Sequence, residues 1–231
     1  MLRLFQYKKG YRYNNDSLLL FNFFSQQNLQ GNILDIGCGC GILGLLTKQY
    51  FPKTQVYMLD VQEKNIQLTY RNSKENQLEI QTICKDFLDF KSDIKFDYLI
   101  SNPPFYKLNT TKSENLHLNI SRYQEFMPLE KMINKINSLI KTNGKFYMCY
   151  DCSFTDEICS YLYKYKIKPT KIQFIHTNDK KPARLVLIEA KKNSKNPLQV
   201  LTPIFMYKND MLSENIKAIY DKLGTISYDI S

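Results

Sequence analysis

The sequence predicts an α/β protein built on a mostly parallel sheet. Short apolar runs alternate with helical patterns along the chain. A glycine cluster sits where one of those runs turns into a helix, and no linker, repeat or low-complexity block divides the 231 residues. A chain of this length can bury a sizeable core without disulfide or metal staples.

The first strand is expected at Asn32–Ile36, followed by the glycines and a helix over Ile42–Tyr50 that stops near Pro52. A second strand, Gln55–Leu59, ends in Asp60; a polar helix over Glu63–Asn76 and a short strand at Ile80–Cys84 follow. The fourth strand, Phe96–Ile100, runs straight into Ser101-Asn102-Pro103-Pro104-Phe105. Residues 106–124 are polar and without period, so they are expected as a long loop, a feature that usually has a function or is mobile. Pro128 suits the first turn of a helix reaching Lys141, with Asn143-Gly144 as its stop. Lys145–Tyr150 reads as a strand, Thr155–Tyr165 as a helix, and Lys171–His176 and Arg184–Lys191 as two last strands. Only a short turn separates those two, so they should be antiparallel neighbours. The sum is a seven-stranded, mostly parallel sheet closed by a C-terminal antiparallel pair, with helices on both faces. The expected organisation is one domain over 1–231: an N-terminal segment 1–30, a core 31–191 and an extension 192–231 with no clear pattern.

Composition narrows the function. With 43% hydrophobic and 23% charged residues the chain is neither disordered nor collagenous. Its net charge of +10 points to a polyanionic partner, nucleic acid before a membrane surface. No stretch approaches the roughly 20 apolar residues of a spanning helix, and the start lacks a signal-peptide pattern, so a cytoplasmic protein is expected. The six cysteines (Cys38, Cys40, Cys84, Cys149, Cys152, Cys159) and two histidines, His117 and His176, do not make the paired ligand sets of a zinc site. Buried, reduced thiols and no metal are expected.

Asp35-Ile-Gly37-Cys-Gly39-Cys-Gly41 occupies the turn from the first strand to the first helix. Glycines there allow a sharp bend and a close approach of backbone to ligand. Asp60, nineteen residues beyond Gly41 and followed by Val61, is placed to accept hydrogen bonds from ribose hydroxyls. Loop and acid together imply an adenosine-containing cofactor. Gly39-Cys-Gly41-Ile-Leu-Gly44 is a literal G-x-G-x-x-G, so the loop alone admits a dinucleotide, and a tight turn binding nothing stays open. Asp35 argues against a pyrophosphate, which it would repel; the ammonium and sulfonium of S-adenosylmethionine are favoured by a carboxylate.

Asn102-Pro103-Pro104-Phe105 is the most specific signal in the chain. Two prolines forbid ladder bonding and stiffen the corner. The Asn102 side-chain oxygen and the Pro103 carbonyl could accept the two N–H groups of a planar exocyclic amine, a poor nucleophile whose lone pair is delocalised. Gripping it favours pyramidal geometry and directs the lone pair at a methyl donor. Phe105 could stack on the base, worth roughly 1–3 kcal/mol. This is positioning and preorganised electrostatics rather than general-base catalysis.

At these residues the chain resembles the class I S-adenosylmethionine-dependent methyltransferases, in the amino-methyltransferase branch that carries N-P-P-[FY]. Lys8-Lys9-Gly10-Tyr11-Arg12-Tyr13-Asn14-Asn15-Asp16-Ser17-Leu18-Leu19 is similar to the N-terminal motif of bacterial tRNA adenine-N6 methyltransferases, which modify the adenosine beside the anticodon of a valine tRNA. Ser121-Arg122-Tyr123 and Lys181-Pro182-Ala-Arg184 are similar too, and the likeness spans roughly Lys8 to Lys191. One departure is Phe105, where many relatives have Tyr. The resemblance implies a Rossmann-like methyltransferase fold, S-adenosylmethionine as cofactor and residues 1–30 as a segment over substrate and cofactor. It also implies Asp35, Gly37, Gly39 and Gly41 at the methionine end, Asp60 and Val61 at the ribose, Asp86 with Phe87 at the adenine, and Asn102 to Phe105 at the target base.

Lys8, Lys9 and Arg12 interleave with Tyr11 and Tyr13, which suits splayed single-stranded RNA; Arg122 could add a phosphate contact. The expected activity is methylation of an adenine N6 in tRNA by a monomer. The alternatives are the same chemistry on an rRNA guanine N2 or a release-factor glutamine, and a non-catalytic RNA-binding module.

Overall fold

A computed structural model describes residues 1–10, 12–105, 116–121 and 123–230. The central sheet is built from β2 (Gly31–Ile36), β3 (Thr54–Asp60), β4 (Gln81–Cys84), β5 (Phe96–Ser101), β6 (Ile140–Asp151), β7 (Ile167–His176) and β8 (Ala183–Lys192). Their order is β7-β8-β6-β5-β2-β3-β4, with every pair from β6 to β4 parallel. β8 is antiparallel to both β6 and β7. The expected seven strands and closing antiparallel pair are therefore present. Two short strands, β9 (Gln199–Val200) and β10 (Ile204–Phe205), extend the sheet to nine by adding to the β7 edge.

Alternation in the buried strands sends side chains to two cores. Ile33 of β2 joins one cluster with α1 (Asn15–Phe24) and α2 (Ile42–Tyr50), through Leu20, Phe21, Leu45 and Leu46. Leu34 and Ile36 join the other with α5 (Leu129–Leu139) and α6 (Thr155–Lys164), through Met132, Ile133, Ile158 and Leu162. Each such fully buried side chain contributes about 1.5–3 kcal/mol. Helices thus cover both faces. Among the described residues no helix is long and apolar enough to cross a membrane.

Several expectations need correction. The chain does not begin its structure at Asn32: β1 (Leu2–Tyr7) and α1 precede it. Eight of the ten residues of α1 are buried, so its run Leu18-Leu19-Leu20-Phe21 is apolar all round and shows no 3.6-residue stripe. Pro128 is the N-cap of α5 rather than part of its first turn. Asn143-Gly144 does not stop a helix; β6 already starts at Ile140 and absorbs the turn residues where its register with β5 shifts, Asn143 lying at φ 63°. Within the stretch expected as loop, α4 (Leu116–Ile120) forms, while residues 106–115 and Arg122 lie outside the described residues. The expected buried thiols hold for Cys38, Cys40 and Cys149, but Cys84 is exposed and Cys152 and Cys159 are half-buried; all six are unpaired.

The extension after Asn193 is ordered into β9, β10, a hairpin of β11 (Tyr207–Lys208) and β12 (Met211–Leu212), α7 (Glu214–Leu223) and β13 (Thr225–Ile230). β13 runs parallel to β1 in register Leu2↔Thr225 to Tyr7↔Ile230, joining the two ends of the chain. α3 (Glu63–Glu75) packs beside β1, whose Phe5 N–H donates to Asn72 Oδ1 at 2.7 Å.

Candidate active site

Register gathers the site. Leu59, Ile36, Ser101 and Met148 lie side by side across β3, β2, β5 and β6. Asp60, Gly37 and Asn102, each one residue further on, therefore come together at the carboxyl edge of the sheet, where Asp60 is the last residue of β3. This is the point where strand order reverses, the usual ligand crevice of such a sheet. Ser101 Oγ donates to the Ile36 carbonyl at 2.8 Å and ties the two strand ends together.

The glycine loop bends over that edge with Gly37, Gly39 and Gly41 at φ 70°, 57° and 91°, a region that costs an L side chain strain. A Cβ at Gly37 or Gly39 would meet nothing within 4 Å, whereas one at Gly41 would lie 3.1 Å from Met58 Cε. The first two glycines thus face open space, and Gly41 serves close packing of loop on strand.

A cavity of about 130 Å³ opens in front of the loop. Gly37, Gly39, Asp60, Val61, Asp86, Phe87, Asn102 and Pro104 are among its walls, so eight of the expected residues come together. Val61 is an exposed apolar side chain at this wall, suited to the face of a planar ring. Ile120, Ser121, Phe126 and Met127 close the far side. A narrower recess of about 20 Å³ runs between Tyr13, Ser17, Cys40, Leu43 and Asn102.

Asp60 bridges loop and helix: Oδ2 accepts the Gly39 N–H at 3.0 Å and Oδ1 the Gln62 N–H at 2.8 Å. With Asn65 bonded to it as well, the carboxylate keeps one lone pair for a ligand hydroxyl. Asn65 Oδ1 is 3.0 Å from His117 Nε2. Gln62 Nε2 donates to Ser121 Oγ at 2.9 Å. These side chains from the start of α3 pin α4 above the cavity, which explains why a five-residue helix with no periodic signal forms there.

Asp35 lies beneath the loop, 1% exposed. Its Oδ2 accepts the Gly44 N–H at 2.9 Å, capping the first turn of α2 from the preceding strand. Its Oδ1 is buried without a hydrogen-bond partner among the described residues. Burial chiefly raises its pKa, from the ordinary 3.8 to about 7; the Gly44 bond opposes the rise and the nearby Asp60 charge adds to it. Because the folded value lies above the unfolded one, Asp35 contributes stability that is complete below about pH 4 and lost as pH rises through about 7. Asp35→Asn should therefore gain melting temperature relative to the wild type between about pH 5 and pH 8. A difference that stays flat in parallel thermal melts would contradict this.

Asn102 donates from Nδ2 to Ser17 Oγ at 3.2 Å, and its Oδ1 is buried with no partner among the described residues. Pro103 is buried, and Phe105 leans on Tyr150 at 5.5 Å between ring centroids, outside the walls of the cavity. Of the expected RNA contacts, Lys8 and Lys9 are exposed just after β1. Neighbouring Gly10 approaches His117, where a Cβ would lie 3.3 Å from Cε1, so this segment passes beside α4. Arg12 pairs with Asp229 at 2.5 Å; Tyr11 and Arg122 lie outside the described residues. Sequence reasoning misses Gln62, Asn65 and Ser17 as site residues. Only the spacing Asp60-x-Gln62-x-x-Asn65, at a strand end entering a helix, could signal the first two.

Residues 11–151 match the family model described as the methyltransferase small domain. Among curated proteins, the chain is 27% identical over 143 residues to the tRNA1(Val) (adenine(37)-N6)-methyltransferase of Flavobacteriaceae bacterium strain 3519-10, covering 61% of this chain and 60% of that one. It is 38% identical over 89 residues to the ribosomal RNA small subunit methyltransferase C of Haemophilus ducreyi, 38% of this chain but 27% of the relative. The chain thus matches under two thirds of either relative's length. Among solved structures, an Agrobacterium tumefaciens protein described as a predicted O-methyltransferase superposes with TM-score 0.71 at 16% identity, over 94% of this chain and 99% of the other. The T. thermophilus 16S rRNA N2 G1207 methyltransferase, in complex with AdoMet and guanosine, gives 0.58 at 17% identity, over 80% and 45%. With more than half its length matched by one family model, this chain belongs to the methyltransferase small domain family.

Proposed function

We propose that the protein uses S-adenosylmethionine to methylate an exocyclic amine of an RNA base, the N6 of an adenine in tRNA, in the anticodon loop of a valine tRNA. One observation carries the chemistry: the buried Asn102 Oδ1, without a partner among the described residues, at a proline-stiffened strand end beside a glycine cradle. An unsatisfied buried acceptor costs about 1–3 kcal/mol, so it suits a site whose partner is an incoming N–H.

The residues present fit the cofactor. Asp35 lies beneath the loop and is not among the walls of either cavity, so it would favour a bound cation through its charge rather than by contact. Gly37 and Gly39 leave the room a Cβ would fill, Asp60 retains a lone pair for a ribose hydroxyl, and Val61, Asp86 and Phe87 line the same cavity. Bound there, the cofactor supplies an electrophilic methyl on a positively charged sulfur. Asn102 Oδ1 and the Pro103 carbonyl hold the amine's N–H groups and turn its lone pair outward. Phe105 stacks on the base after moving from Tyr150. The amine's proton becomes acidic only once the methyl has joined the nitrogen, so water suffices to take it.

Coverage favours adenine in tRNA: relatives so named align over 60% and 73% of their length, the rRNA relative over 27%. The stronger local identity to that relative, 38%, supports guanine N2 in rRNA as the second reading. Transfer of labelled methyl to total tRNA tests the proposal; label lost to nuclease supports it, and label lost only to protease would move the acceptor to a protein.

Lys8 and Lys9 are exposed just before Gly10, which approaches His117 of α4, and they suit phosphate contact. Neutralising both should weaken tRNA binding and flatten the dependence of log K on log salt by about 0.7 for each phosphate that no longer meets a lysine. An unchanged slope in titrations at several salt concentrations would place the RNA elsewhere.

A further inference from the structure

We infer that Ser17 is a positioning residue that fixes the carboxamide of Asn102 with its oxygen facing the acceptor base; this rests on the proposed amine methylation. A carboxamide can turn end for end with almost no change in shape. One orientation offers an acceptor to an incoming amine, and the other sets N–H against N–H. In the structure Nδ2 donates to Ser17 Oγ at 3.2 Å, and Oδ1 has no partner among the described residues. The hydroxyl could serve either end of the amide, so it fixes the carboxamide in place while the burial of the opposite end selects its sense. Turning the amide would leave an NH₂ group with two donors in the buried position that now holds one oxygen, and buried unpaired N–H groups are the rarer and costlier case.

Ser17 is itself held firmly. It is 4% exposed in the first turn of α1, and its N–H donates to the Asn14 carbonyl at 3.3 Å. Asn14 caps the helix by accepting the Asp16 N–H at 3.1 Å. Asp16, 3% exposed at its side chain, binds Arg184 Nη2 at 2.7 Å through Oδ1 and accepts Asn14 Nδ2 at 2.8 Å through Oδ2. The first turn of α1 is thereby fastened to the start of β8, and Ser17 reaches from it across the sheet edge to Asn102. Ser17 and Asn102 share the 20 Å³ recess beside Gly37 and Gly39, so the contact borders the site itself. The network gives Asn14, Asp16, Ser17 and Arg184 one common purpose, although Arg184 lies far from the others in the chain.

The test pairs kinetics with a readout that needs no turnover. Ser17→Ala should lower kcat about tenfold, the size of one neutral hydrogen bond, with KM for RNA and Kd for the cofactor within about two-fold. Ser17→Thr, which keeps the hydroxyl, should restore kcat. In nitrogen-15 spectra the Asn102 side-chain NH₂ signals, identified by their loss in Asn102→Ala, should exchange slowly with water in the wild type and faster in Ser17→Ala. Full kcat in Ser17→Ala would overturn the inference, as would a loss confined to cofactor affinity. Rapid exchange of the Asn102 amide in the wild-type protein would overturn it even if the alanine variant fails to fold. If the wild type methylates no RNA amine while the amide behaves as expected, the functional reading fails and the Ser17 contact stands.

Discussion

Asn102→Ala is expected to reduce methyl transfer about 10²–10³-fold, the usual cost of removing one preorganised group that acts on the reacting centre. The same variant should bind the cofactor within about two-fold of the wild type, because a loss made only in the transition state lowers kcat rather than affinity. It should also fold at least as well. Its Oδ1 has no partner among the described residues, so alanine removes an unsatisfied buried oxygen along with a single bond to Ser17. This combination of near-complete inactivity, intact cofactor binding and an unchanged or higher melting temperature separates a catalytic acceptor from a structural asparagine. Single-turnover rates, calorimetric titration of the cofactor and a thermal melt measure the three. Equal losses in rate and affinity would contradict the assignment.

Asp60→Ala should have the opposite signature. The carboxylate holds the Gly39 and Gln62 N–H groups at 3.0 and 2.8 Å and is the group proposed to take a ribose hydroxyl. Hydrogen bonds to a charged group are worth about 1.5–3 kcal/mol each. Loss of the ribose contact and of loop order should weaken the cofactor Kd by about 30–300-fold, with kcat at saturating cofactor falling only a few-fold. Calorimetry and saturation kinetics distinguish the cases; an unchanged Kd would remove Asp60 from the cofactor site. Together the two variants divide the cavity into a binding half on β3 and a reacting half on β5.

The core of this architecture is legible in the sequence because local chemistry and tertiary placement agree there. Ile42–Tyr50 reads to the residue, since Gly41 and Pro52 punctuate it and its packing face is apolar. The strand end at Ser101 is legible because a double proline cannot continue a buried parallel strand. What the sequence hides is held by distant partners. Among the described residues β1 pairs only with β13, more than 200 positions away in sequence. α4 owes its place to Gln62 and Asn65. Ser17 looks like any polar residue before a leucine run until the fold brings Asn102 to it. The acid–glycine constellation is visible as a motif, but its division of labour is not: Gly41 packs on Met58, and one oxygen of Asp35 is committed to capping α2.

The central claim concerns a planar base amine as methyl acceptor, and nucleoside mass spectrometry of tRNA from cells with and without this protein tests it most directly. The account predicts N6-methyladenosine present in the first sample, absent in the second and restored by the wild-type chain but not by Asn102→Ala. Identical nucleoside profiles, or a loss of N2-methylguanosine from ribosomal RNA in place of the adenosine product, would contradict it.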